Sequence, residues 1–291
     1  MAFLFVSLNY TNGEIIKKTV VILIPPILSF FIAFFGLFIS SYLESIFYEQ
    51  LFPNLQGNLF VSLIMDVFFF LMISFLFILL TKIIYKDIRI LGFSKKNFFK
   101  NFFFGYLTGA FIITFIVAGY VLVGGADFQE VFSKSSWSKL LISIVFYLAQ
   151  GSQEEVISRG FVLGGIAKKT NLLWGVIVSS LFFMLMHLSN TGGFTLELLD
   201  YFLIGMVWAL LRILFSNTWV AAASHGAYNF FMSDFFGLAN SPKDSEGILF
   251  QTIYHSSIDY MSIIISSIVL VILIILVWRK RNILNKPLEF E

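Results

Sequence analysis

Six polar residues sit on three stretches that otherwise read as membrane-spanning helices: Glu154, Glu155 and Arg159, then His187, then His225 with Asn229. An ionisable side chain at bilayer depth costs roughly 2.5–3.5 kcal/mol on insertion scales, so a cluster of them in neighbouring spans implies a use. Carboxylates, imidazoles and an amide are the parts of a hydrolytic site. A carboxylate or imidazole can take a proton from water, and imidazole and amide N–H groups can hold a developing oxyanion.

Helical spacing assigns these residues to faces. Glu155 and Arg159 are four apart in the run Gln153-Glu154-Glu155-Val156-Ile157-Ser158-Arg159-Gly160, so they can pair, while Glu154 points about 100° away. One carboxylate is then neutralised and the other is free to act as a base. The competing reading is an ion-pair network that fixes helix packing, and it applies more readily to Glu155 and Arg159 than to Glu154, which has no second cation in its span. His187 closes Phe182-Phe183-Met184-Leu185-Met186-His187, where a lone histidine could equally be interfacial. However, Glu154 and His187 lie equally far along the chain from Thr170–Asn171, the turn joining their two spans. Both would sit roughly 25 Å from that turn in an antiparallel hairpin, so they can meet. His225 and Asn229 are again four apart and share a face, and could form either an oxyanion cradle or an interhelical hydrogen-bond pair. One tension arises here. His225 lies only about 12 Å past a turn at Ser216–Asn217, shallower than Glu154. Either the Lys168–Lys169 turn projects into the cytoplasm or the boundary near 216 is misplaced.

Other chemistries find little support. With no cysteine there is no thiolate nucleophile, disulfide or cysteine-ligated metal. Ser158 and Ser224 lack an aspartate-backed histidine, and no His-Glu-x-x-His run marks a zincin. His255 reads as solvated among Lys243, Asp244 and Glu246, and Asp66 has no identifiable partner.

The elements that must position the six residues follow from composition. Of 291 residues, 58% are hydrophobic and 12% charged, and the mean hydropathy is +0.90, which marks a polytopic membrane protein. The fold class expected is all-α, a single membrane-embedded domain over 1–291 with about eight spans near 20–44, 58–80, 102–124, 140–167, 172–189, 196–215, 218–237 and 258–278. Pro25 and Pro26 are expected near the start of the first span, where a missing N–H does least harm. Of the nineteen Lys and Arg residues, only Lys134, Lys139 and Lys243 fall on one side. That bias places both termini in the cytoplasm, with Arg159 set aside as lying within the membrane. The basic stretch Lys82–Lys100 is expected to lie along the headgroups. Gly105 and Gly109, like Gly160 and Gly164, have the spacing that lets membrane helices approach closely. No removed signal peptide is expected. The net charge of +2 says little by itself, and no nucleic-acid partner is expected.

Read together, Glu154-Glu155 with Arg159, Phe183 with His187, and His225 with Asn229 resemble the motifs of the CPBP family. These are intramembrane proteases that include the type II CAAX prenyl endopeptidases and the bacteriocin self-immunity proteins of the Abi group. The family pattern is Glu-Glu-x-x-x-Arg, Phe-x-x-x-His, His-x-x-x-Asn, and the resemblance covers about residues 100–237. It implies a helical membrane bundle and endoproteolysis within or beside the membrane. Glu154 with His187 would activate the water, and His225 with Asn229 would bind the oxyanion. A metal-free mechanism without cofactor is the expectation. The alternative is a divalent metal such as zinc held by Glu154, His187 and His225.

The resulting expectation is an intramembrane endopeptidase of a multi-pass cell membrane, the bacterial plasma membrane, acting on a peptide or membrane-protein substrate within the lipid bilayer. The alternative is a non-catalytic bacteriocin self-immunity or membrane interaction protein of the same fold. A transporter would also carry ionisable groups at mid-membrane, but the chain shows no inverted repeat or broken-helix pair.

Overall fold

The computed structural model describes residues 12–132, 136–238, 247–255, 260–280 and 283–288. Lys134, Lys243, Asp244, Glu246 and Arg281 lie outside the described residues. Nine helices succeed one another among the described residues: α1 (Asn12–Ser45), α2 (Leu59–Tyr85), α3 (Phe98–Leu122), α4 (Ser136–Glu155), α5 (Gly164–Lys169), α6 (Leu172–Met186), α7 (Glu197–Phe215), α8 (Thr218–Phe230) and α9 (Tyr260–Trp278). A π-helical stretch, Val156–Leu163, joins α4 to α5 without a break. The rods therefore number eight, in the expected order though with shifted ends.

Five of them, α1 (with its π-helical extension to Leu51), α2, α3, α7 and α9, are long and apolar enough to cross a membrane, and α6 is apolar but shorter. The remaining two rods carry most of the polar cluster. Their polarity has a physical reason: α8 is enclosed by other helices, with Val220, Ala221, Ala222, Ala223 and Ser224 all fully buried. A helix that faces protein rather than lipid need not be apolar around its whole surface.

Close backbone approach sets the position of α8. A methyl group at Gly105 or Gly109 of α3 would collide with the carbonyl oxygens of Val220 and Ser224 respectively. On the opposite side, one at Gly151 of α4 would fall 2.7 Å from the Gly226 nitrogen. Small residues thus clamp α8 between α3 and α4 on both sides of His225. Side-chain caps fix the helix starts: the Asn171 carboxamide accepts from Trp174 N–H at 3.0 Å, and that of Asn217 from Trp219 N–H at 3.0 Å. The turn before α8 falls where expected, with Ser216 in the left-handed region at φ 51°.

Several expectations are corrected. Pro25 and Pro26 lie inside α1, because that helix begins at Asn12 rather than near residue 20. Each removes one backbone donor, and neighbouring turns keep the rod continuous, as membrane helices tolerate. The Lys82–Lys100 stretch is not one continuous surface segment. Its short 3₁₀ turn, Ile88–Leu91, tucks into the bundle, with Ile90 and Leu91 buried. There the Arg212 guanidinium and Thr218 hydroxyl donate to the carbonyls of Ile90 and Leu91, and Thr218 N–H donates to that of Gly92 at 2.8 Å. Gly164 packs against Ile90 as well. The Ser216–Asn217 turn is therefore level with Gly164, and the Lys168–Lys169 end of α5 extends past it. That resolves the depth tension in favour of a projecting turn.

The all-α expectation also missed a two-stranded antiparallel sheet, β1 (Ala126–Glu130) and β2 (Phe250–Tyr254), in register Ala126 to Tyr254 and Glu130 to Phe250. His255, next to β2, pairs with Asp127 of β1 at 2.8 Å.

Candidate active site

α4 ends on Glu154 and Glu155, and the π-helical stretch begins at Val156. All eight residues of that stretch are buried. A π turn carries an extra residue and rotates the helix beyond it, and such turns recur at functional sites. Across it, Arg159 Nη1 donates to Glu155 Oε1 at 3.0 Å, with both side chains fully buried. The other arm, Nη2, donates to the Gly205 carbonyl of α7 at 2.7 Å. The guanidinium also lies over the rings of Phe183, at 4.6 Å, and Trp208, at 5.4 Å, which desolvated cations favour.

His225 joins this pair from α8. Its Nδ1 lies 3.0 Å from Glu155 Oε1. An ionised carboxylate only accepts, so Nδ1 carries the proton and Nε2 is directed elsewhere. His187, at the C-cap of α6, has Nδ1 2.9 Å from the Phe183 carbonyl. That contact again fixes the proton on Nδ1. Both Nε2 atoms approach the same oxygen: Glu154 Oε2 is 3.9 Å from that of His187 and 3.8 Å from that of His225. The Glu154 and His187 side chains keep 23% and 17% of their surface accessible, against 0% for Glu155. One carboxylate is sealed inside, and the other faces open space between two imidazoles.

Aromatic rings hold the imidazoles in place. Trp208 stacks on His225 at 3.9 Å and Tyr201 on His187 at 4.3 Å. Phe183 touches both imidazoles, at 4.4 and 5.6 Å between centroids. Phe183 is the phenylalanine of the Phe-x-x-x-His motif on which the family resemblance rests. Nothing in the sequence marked Tyr201, Trp208 or the Gly205 carbonyl, because their roles depend on how α7 packs against α6 and α8. Gln150 was also missed, although it lies one turn before Glu154 on α4.

Five of the six residues picked from the sequence, Glu154, Glu155, Arg159, His187 and His225, form one connected cluster. Asn229 stands a turn away on α8, where its amide donates to Gln150 Oε1 at 3.4 Å.

The donor geometry bears on a possible metal. Tetrahedral zinc, with bonds of about 2.0–2.1 Å, holds neighbouring N and O donors about 3.3 Å apart. The Glu154–imidazole separations exceed that, and among the described residues no group of three His, Asp or Glu side chains is gathered closely enough to hold a metal ion. As placed, Glu154, His187 and His225 do not form a metal site.

The bundle thus sets a buried Glu–Arg–His network beside an accessible Glu between two histidines. The family model of the type II CAAX prenyl endopeptidase Rce1-like proteins matches residues 136–231. That segment, about a third of the chain, runs from α4 to the end of α8 and contains all six residues. The match supports the CPBP resemblance carried by the motifs and indicates a protease in kind, of a membrane protein. No curated protein and no solved structure matches the chain.

Proposed function

We propose that this chain is an intramembrane endopeptidase of the CAAX-protease type that hydrolyses a peptide bond with water activated by Glu154 and the flanking imidazoles. The observation that carries this reading is the convergence of two Nε2 atoms on Glu154 Oε2, while Glu155 is committed to Arg159 and His225. Glu154 takes the water proton as hydroxide character develops. His187, with Nδ1 held by a carbonyl, offers a bare Nε2 that orients the water and relays the proton to the leaving amine. His225 donates to the oxyanion when it carries a second proton, a cation that Glu155 on Nδ1 stabilises. Asn229, on the same face of α8, supplies a second donor. The substrate is a peptide or a membrane-protein segment, entering from the basic face of a bacterial plasma membrane.

Four single variants test this reading: Glu154→Gln, His187→Ala, His225→Ala and Asn229→Ala, each assayed for cleavage and for bound zinc. The substrate is a fluorogenic peptide selected by screening with the unaltered protein. Without metal participation, the unaltered protein holds no stoichiometric zinc, chelator leaves cleavage intact, and losing an oxyanion donor lowers turnover roughly 10²–10³-fold. His187→Ala is the more severe, because it removes the group that orients the water. Stoichiometric zinc that disappears in the first three variants but not in Asn229→Ala would overturn water activation without metal. If the unaltered protein cuts no peptide, the non-catalytic immunity reading takes over.

The orientation that places the basic loops in the cytoplasm has its own test. Reporter fusions after Lys96 and Lys280 should report cytoplasm, and one near Lys243 should report the exterior. A cytoplasmic signal near Lys243 would refute a crossing between Lys96 and that point on which substrate entry from the basic face depends.

A further inference from the structure

A cavity of about 910 Å³ lies on the basic side of the bundle. It is bounded by the 88–97 connection, the first turn of α3, the α7–α8 turn and the 283–288 segment. Lys96, Lys100, Arg212, Lys280 and Lys286 line it together with Arg89, which is itself paired with Asp87 at 3.0 Å, and among the described residues no Asp or Glu lines the cavity. Like charges gathered round one cavity repel, and an anion between them relieves that repulsion.

The site is built rather than merely basic. Arg212 is 3% exposed. Its Nη2 donates to the Ile90 carbonyl, while its buried Nη1 has no hydrogen-bond partner. One arm of a rigid guanidinium fork is thus anchored, and the other is buried without a partner in a residue that lines the cavity; a guanidinium with an unmet donor suits a phosphate oxygen. Asn217 pins the wall of the cavity by donating its amide to the Ser94 and Lys96 carbonyls, at 3.1 and 3.3 Å. The positive end of the long α3 helix also faces the cavity. Asn97 lines it and makes no side-chain cap, so its carboxamide does not occupy the first-turn N–H groups.

We propose that this cavity binds a phosphate group, carried by an anionic lipid headgroup or free in solution. Its surroundings favour the lipid. Phe93, which lines the cavity, and Phe98 pack edge-on against Trp219, at 4.8 and 5.0 Å, and tryptophan is enriched at the membrane–water interface. Anionic lipid is concentrated where basic loops collect. The site shares no residue with the Glu154 cluster, so it stands or falls apart from the peptidase reading.

The test uses the full chain purified in a neutral maltoside detergent. Short-chain phosphatidylglycerol and, separately, inorganic phosphate are titrated at constant ionic strength and followed by calorimetry and melting temperature. Saturable binding of about one phosphate group per chain is expected. The double variant Lys96→Ala/Lys100→Ala weakens it about tenfold or more. Lys82→Ala/Lys169→Ala, which removes equal charge outside the cavity, leaves it within about twofold. Arg212→Gln is the stricter variant, and if it fails to fold the Lys96/Lys100 pair decides alone. Saturable binding of phosphatidylglycerol but not of phosphate assigns the headgroup, and binding of both assigns phosphate as such. No saturable binding of either probe, or equal weakening by the two double variants, overturns the proposal.

Discussion

Glu154→Gln is expected to abolish cleavage, lowering turnover by roughly 10²–10⁴-fold, while the protein stays folded in the membrane at its normal level. The substitution keeps the size and a hydrogen-bonding end but removes the proton acceptor. It should cost little stability, since the Glu154 side chain is partly accessible and lies 3.8–3.9 Å from the imidazole nitrogens, beyond hydrogen-bond distance. Cleavage of the screened peptide, measured beside protein abundance and melting temperature, checks both halves of this expectation. Retained cleavage at more than a tenth of the original rate would remove Glu154 as the base.

Glu155→Gln has the opposite signature. Glu155 Oε1 serves two buried partners, Arg159 and His225. Losing its charge leaves a guanidinium uncompensated in the protein interior, a change that costs roughly 3–5 kcal/mol. Abundance and melting temperature should both fall, and activity should fall with them. A double variant, Glu155→Gln/Arg159→Met, removes both charges. It should recover part of the lost abundance and none of the activity, because His225 still lacks its carboxylate. Normal abundance for Glu155→Gln with activity lost as completely as in Glu154→Gln would show that the two carboxylates do not divide their work in this way.

The contrast rests on burial. Two adjacent carboxylates share a backbone segment but not an environment. Glu155 faces Arg159 and His225, where Phe183 of α6 and Trp208 of α7 pack over both partners and exclude water. Glu154 faces the space between His187 and His225. A base needs access to water and substrate, and a charge that holds helices together needs the opposite.

Much of this was legible in the sequence because it depends on short-range geometry. Four-residue spacing paired Glu155 with Arg159 and set Glu154 apart, and hairpin symmetry brought Glu154 to the depth of His187. Mean hydropathy and the spacing of apolar stretches gave eight helical rods, since a chain in lipid must satisfy its backbone within each segment. The small residues Gly105 and Gly109 signalled close helix approach.

The tertiary structure alone decided the contacts between distant segments and the rotation of side chains within them. The sequence placed His225 and Asn229 on one face, but it could not say that His225 Nδ1 would turn to Glu155, nor that Asn229 would meet Gln150. That choice depends on α8 being wedged between α3 and α4, and on Trp208 stacking against the ring. The sheet joining β1 to β2 arises from two connections more than a hundred residues apart, which no local period records. The basic stretch around Arg89 looked like an amphipathic surface segment. It became a plug because the carbonyls of Ile90 and Leu91 found buried donors in Arg212 and Thr218. Periodicity fixes which side of a helix a residue occupies, whereas the partner it meets is fixed only when the helices have packed.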